Sequence, residues 1–279
     1  MKQFVEENIW FIPILMGIIL FSSICVVYDI SLPSPINISA ESITLLCLSS
    51  IAFVLIVFIG QYLIERWFTS KDQTTLIWGI SFLLFSITFI GLMLKSLGII
   101  WTAENDSLMF FLFRQFMILW AAGVLYGLVL IFRNEKVIKH NVWIMEAIIL
   151  VSAIVSYIWF YYTTIILNDV HLAMNGLLGF FFIPVCAFIG YLFMNYGYKE
   201  NFGSMKRIGF GFIIVAISYL GWTLYHTTMF YYLLFSLFII GLTFIRAGVI
   251  LLSAEKYKLE PNPEICNKCK VLLASKKNR

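Results

Sequence analysis

Eight residues of this sequence combine a charged, reactive or helix-breaking side chain with a position where it would matter: Lys95, Arg114, Glu146, Asp169, Pro184, Arg246, Cys266 and Cys269. Lys95 and Arg114 lie within apolar runs, where a charge is costly and marks a functional site by default. With Asp169 in a neighbouring loop they form a candidate ligand site on the outer side, suited to an anionic solute or a lipid headgroup. The competing expectation is that both cations snorkel to the outer surface. Glu146 and Arg246 each sit a turn or two inside the opposite boundary. A salt bridge between them would satisfy both charges and clamp the second half of the chain, a structural role set against gating or proton transfer. Pro184, between Ile183 and Val185, predicts a kink and a freed backbone carbonyl.

Cys266-Asn267-Lys268-Cys269 has the spacing of half a zinc knuckle. Four ligands are needed and the chain shows no second pair, so a metal site here requires two chains to share one zinc. The alternatives are a redox role for the dithiol, or a reduced tail whose Lys268, Lys270, Lys276, Lys277 and Arg279 rest on anionic lipid. No other cofactor is expected. Cys25, Cys47 and Cys186 are single residues inside apolar runs and read as buried free thiols.

Outside the Glu146–Arg246 pair and the boundary residues, no Asp, Glu or His falls near the middle of an apolar run. That counts against a proton-coupled pump, an intramembrane metalloenzyme and a bis-histidine haem protein. Ser81, Ser86, Thr88 and Ser218 offer interhelical hydrogen bonds but no base lies near them in sequence, so no enzyme is expected. Gly123-xxx-Gly127 is a small-xxx-small pair able to bring helices close.

These residues must be positioned by apolar helices. The chain of 279 residues is 61% apolar and 12% charged, with a mean hydropathy of +0.93, whereas about a quarter of the residues in a soluble domain are charged. Uncharged windows reach the roughly 20 residues that a helix needs to cross about 30 Å of hydrocarbon. A β-barrel would alternate polar and apolar positions instead. The reading is an all-α integral membrane protein with eight transmembrane helices over 9–28, 43–64, 76–98, 108–132, 142–167, 174–196, 208–225 and 229–252, followed by a basic tail, 253–279. The bilayer is the expected partner, with a second copy or another membrane or cytoplasmic protein beside it; nucleic acid is not.

Charge sorts cleanly by side. Arg66, Lys71, Arg133, Lys136, Lys139, Lys199, Lys206, Arg207 and the basic tail fall on one side, while the opposite loops carry Asp29, Glu41, Glu104, Asp106 and Asp169 without Lys or Arg. The positive-inside rule then places both termini in the cytoplasm, and the plasma membrane is the expected location. The glycosylation-type triplets Asn37-Ile38-Ser39 and Asn105-Asp106-Ser107 fall in the outer loops.

The hairpin Phe58 to Gly91 recurs without a gap 130 positions later, from Phe188 to Gly221, matching Phe58, Ile59, Gly60, Gly79, Phe82, Ile87 and Gly91. At a separation of 120, Met109-Phe110 matches Met229-Phe230 and Glu135-Lys136 matches Glu255-Lys256. Two four-span halves, 1–140 and 141–256, follow. Because four is even, the halves enter the membrane in the same sense, making the repeat parallel. The functional expectation is a non-catalytic sensor or membrane-complex subunit acting through its inner loops and tail. The alternative is a transporter or channel for a small apolar, lipid-like or anionic solute.

Overall fold

The computed structural model of the protein describes residues 40–97, 106–132, 142–224 and 228–259. Among them, seven helical rods are long and apolar enough to cross a bilayer, an all-helical arrangement compatible with a multi-pass membrane bundle. The rods overlap the second to eighth predicted spans, and the predicted turn between the last two falls largely on 225–227, outside the described residues. The predicted first span, 9–28, and the tail residues Cys266 and Cys269 lie outside the described residues.

The first hairpin joins α1 (Ala40–Ser70) to α2 (Gln73–Leu97). Lys71 turns the chain with φ 55°, its N–H bonded to the Trp67 carbonyl at 2.8 Å and its ammonium 4.9 Å from the Trp67 ring centre. Asp72 then caps α2: its carboxylate accepts from the Thr74 N–H at 3.3 Å and the Thr75 hydroxyl at 2.7 Å. A carboxylate at a helix N-terminus satisfies orphan donors and complements the helix dipole.

The third rod is broken. α3 (Asp106–Arg114) and α4 (Phe116–Phe132) meet at Gln115, and the Phe113 carbonyl accepts from the Thr88 hydroxyl on α2 at 3.1 Å. The fourth rod is α5 (Val142–Tyr161), which widens into a π-helical turn over Tyr162–Ile166. Asn168, at φ 51°, reverses the chain; asparagine tolerates this left-handed conformation better than most residues. The fifth rod runs through α6 (Val170–Gly176), a π-helical stretch Leu177–Phe182 and α7 (Ile183–Lys199). α8 (Gly203–Leu224) and α9 (Thr228–Leu259) complete the bundle.

Helices in a bilayer gain little by burying apolar surface against one another, so close packing must hold them together. Glycine supplies it in both hairpins. A Cβ built on Gly60 would stand 3.0 Å from the Gly79 carbonyl oxygen, and one on Gly79 would stand 3.1 Å from that of Gly60. In the α7–α8 hairpin the corresponding distances between Gly190 and Gly209 are 2.9 and 2.7 Å. Gly211 and Gly241 bring α8 and α9 equally close. α4 packs on α2 and α7, while α9 packs on α8 and α1, which closes the bundle.

Inside this frame the core is aromatic. Phe85, Trp120, Phe182, Tyr219, Phe238 and Phe89 form a closed circuit. Its ring centres are 4.5 to 5.6 Å apart, and all six side chains are among the largest fully buried ones. α5 stands apart from this core: 0% of its apolar window is buried, against 39–56% for the other six rods.

Gly209→Val forces the α7 and α8 backbones apart and is expected to cost about 1–3 kcal/mol as an overpacking change. Gly179, with nothing within 4 Å of a built Cβ, is the control, and Gly179→Ala should leave the thermal unfolding midpoint in detergent unchanged.

Candidate functional site

The loop end carrying Lys95 gathers most of the polar residues singled out by sequence. The last turn of α2 places Lys95 beside the first residue of α3, where its Nζ lies 3.0 Å from Asp106 Oδ1. This pair is open to solvent, with exposures of 44% and 37%. The Ser107 hydroxyl donates to the Asn168 side-chain oxygen and ties α3 to the turn before α6. Asp169 is the N-cap of α6, its Oδ1 accepting from the Leu172 N–H at 2.8 Å.

Arg114 differs from the expected snorkelling cation. It is 6% exposed, its guanidinium 5.7 Å from the Phe110 ring centre and its Nη1 4.0 Å from Met117 Sδ. The reason lies in the break at Gln115. α3 is amphipathic and packs against α2 and the π-helical turn Tyr162–Ile166, so its last residue points into the bundle. Lys95, held at Asp106, is separated from the level of Arg114 by the length of α3, about 12 Å at 1.5 Å per residue. The structure therefore joins Lys95 to Asp106, gives Asp169 a capping role, and seats Arg114 on Phe110.

The Glu146–Arg246 bridge is not formed. Both residues are half-buried, but α5 packs on α4 and α6, whereas α9 packs on α8 and α1. Among the described residues the recorded ion pair is Lys95–Asp106. Pro184 is exposed and occupies the first turn of α7, directly after the π-helical stretch. The missing N–H is thus absorbed by a change of helical register, and the Ile183 N–H bonds to the Leu178 carbonyl.

Among the described residues, most of the hydroxyls singled out by sequence bond within their own helices. Ser81, Ser86 and Ser218, expected to bond between helices, donate to carbonyls of their own helices at Ile77, Leu83 and Val215. Thr88 alone of that set reaches another helix, at Phe113. Two buried polar atoms among the described residues have no hydrogen-bond partner, Trp120 Nε1 within the aromatic circuit and Thr164 Oγ1 in the π-helical turn. Cys186 is a buried free thiol and Cys47 a half-buried one. Among the described residues no three His, Cys, Asp or Glu side chains are grouped to hold a metal.

The cavity that sequence reasoning missed is lateral. Val155, Ser156 and Trp159 of α5 face Gly176, Leu177 and Phe180 across a groove of about 250 Å³. The Trp159 indole lies directly against Gly176, where a Cβ would collide with it. Phe180 is 86% exposed at the rim. The lining is apolar apart from Ser156, so the groove offers van der Waals contact to a hydrocarbon chain and little to a polar solute. The groove depends on Gly176 meeting Trp159, and neither residue reveals the other in the sequence.

No family model, curated protein or solved structure matches the chain.

The exposed Lys95–Asp106 pair is expected to contribute little: a double-mutant cycle with Lys95→Ala and Asp106→Ala should give a coupling below about 1 kcal/mol that fades with added salt. Asp169→Ala, by contrast, removes a helix cap and should cost about 1 kcal/mol in unfolding free energy. Asp169→Asn, which keeps a capping oxygen, should recover most of it.

Proposed function

We propose that this chain is a non-catalytic multi-pass membrane protein, a sensor or a subunit of a larger membrane complex, whose outputs are its basic loops and its CxxC tail. The observation that carries the proposal is the closed circuit of Phe85, Trp120, Phe182, Tyr219, Phe238 and Phe89, packed ring on ring at the centre of the bundle. Solute passage along the bundle axis needs a polar or yielding path. Here the interior is aromatic, and the serines nearby are satisfied on their own helices. Orientation with both ends cytoplasmic follows from the basic loops.

The proposal includes an ancestral duplication into two parallel four-span halves. It is supported by atomic correspondence between the hairpins. Gly60, Ile64, Gly79 and Leu83 make the same close contacts as Gly190, Met194, Gly209 and Ile213, each 130 positions later. The turns match as well, with φ 55° at Lys71 and 54° at Asn201. Leu76 N–H bonds to Asp72 O at 3.3 Å and Lys206 N–H to Phe202 O at 3.2 Å.

A second reading, movement of a lipid or other apolar molecule along the flank, is favoured by the groove between Trp159 and Phe180. Reconstitution into vesicles containing a fluorescent phospholipid separates the two. The proposed function predicts no lipid exchange between leaflets above protein-free vesicles, and no anion flux. Exchange that is abolished by Phe180→Asp would contradict it in favour of the flank pathway. For the tail, zinc shared between chains predicts about half an ion per chain in a dimer, from the four-ligand requirement. Cys266→Ser should remove both the metal and the dimer, while a metal-free monomer would remove the tail from the proposal.

A further inference from the structure

The register change ahead of Pro184 leaves one backbone carbonyl over. The stretch Leu177–Phe182 is π-helical, so its bonds run five residues back, and the Ile183 N–H goes to the Leu178 carbonyl. In an α-helix that N–H would serve Gly179 instead. In the π register Gly179 would be served by residue 184, a proline, which has no N–H to give. Neither helical donor reaches the Gly179 carbonyl.

Its surroundings are open. Gly179 is exposed, and a Cβ built on it meets nothing within 4 Å. With the turn at Asn168 at the outer boundary, Gly179 stands eleven residues down the rod, about 16 Å at 1.5 Å per residue. That is near the middle of a hydrocarbon layer about 30 Å thick. A bare carbonyl at that depth is costly, and membrane helices broken by proline meet the cost by drawing in another donor. The lateral groove lies beside it: the peptide that carries this carbonyl joins Gly179 to Phe180, which lines the groove opposite Trp159.

Groove and carbonyl together describe one ligand chemistry. About 250 Å³ of apolar-lined space accepts a hydrocarbon chain, and a single acceptor calls for a single donor. A phospholipid tail would fill the space but brings no donor to mid-bilayer. A strongly polar solute would find one partner and lose the rest of its hydration. We propose that the groove binds an apolar molecule bearing a hydroxyl, its chain between Trp159 and Phe180 and its O–H donating to the Gly179 carbonyl. The binding follows from this geometry, and its role as the sensed ligand rests on the proposed function above. Pro184 acts as a positioning residue, because its missing N–H is what keeps the acceptor free.

The test is photolabelling of the full chain in phosphatidylcholine vesicles with 1-hexadecanol carrying a mid-chain diazirine, the labelled peptides being mapped by mass spectrometry. The expected result is labelling within 155–159 and 176–180 that unlabelled 1-hexadecanol displaces. Its methyl ether, the same chain without the donor, should displace about tenfold less well, the difference one hydrogen bond makes. Pro184→Ala gives residue 184 an N–H. In the π register that N–H bonds Gly179, and if the stretch reverts to α the Ile183 N–H does so. Alcohol and ether should then displace the probe equally, and Pro184→Gly should behave alike. Labelling without preference for the groove, or equal displacement by alcohol and ether on the unaltered chain, would overturn the proposal. So would an alcohol preference that survives both substitutions. Leaflet exchange of a fluorescent phospholipid is followed in the same vesicles. Displaceable labelling together with exchange would support the site and refute the sealed sensor; neither labelling nor exchange would refute the site and leave the sensor standing.

Discussion

The circuit of six aromatic rings at the bundle centre is the contact on which the rest of this structure depends. Its members come from α2, α4, the π-helical stretch Leu177–Phe182, α8 and α9, so a single cluster ties together five of the seven rods. Lipid tails are as apolar as phenylalanine, and burial alone gives no preference for a neighbouring helix over lipid. Ring-on-ring contacts do, because offset and edge-to-face pairs add about 0.5–1.5 kcal/mol beyond their buried area. Phe85 stacks on Trp120 at 4.7 Å and Phe182 meets Tyr219 edge-on at 4.5 Å. Within each hairpin the backbones approach closely at Gly60 with Gly79 and at Gly190 with Gly209. Glycine contacts set the spacing of the hairpins and the rings fill what lies between.

The same packing explains where the polar groups went. A hydroxyl in a dry, aromatic interior is costly unless bonded, and the nearest acceptor is the carbonyl three or four residues back on its own helix. Ser49, Ser50, Ser81, Ser96 and Ser236 all bond there. Charges are pushed to the ends, where Lys71 rests over Trp67 and Lys206 over Tyr198. Arg114, buried within the third rod, is accommodated beneath Phe110 by the interruption of that rod.

The rods themselves were legible in the sequence because uncharged runs bounded by charged or polar turns leave one reading. Lys71-Asp72 ends one helix and caps the next. What the sequence hid were events that depend on neighbours. The break at Gln115 goes with a carbonyl taken up by Thr88 on another helix. The π-helical stretches over Tyr162–Ile166 and Leu177–Phe182 carry no composition of their own. Glu146 and Arg246 are complementary in charge and in depth, yet they sit on helices with different neighbours. The groove at Trp159 and Gly176 needed both sides of a packing contact to be seen.

The central proposal is a sealed, aromatic-cored bundle built from two parallel halves. A density map of the intact protein in lipid nanodiscs, obtained by electron cryomicroscopy with an antibody fragment bound, tests it most directly. The account predicts eight rods that superpose on themselves after a half-turn about the membrane normal, with continuous density across the Phe85–Trp120–Phe182–Tyr219–Phe238–Phe89 circuit. Halves of opposite sense, or a water-filled passage through that circuit, would contradict it.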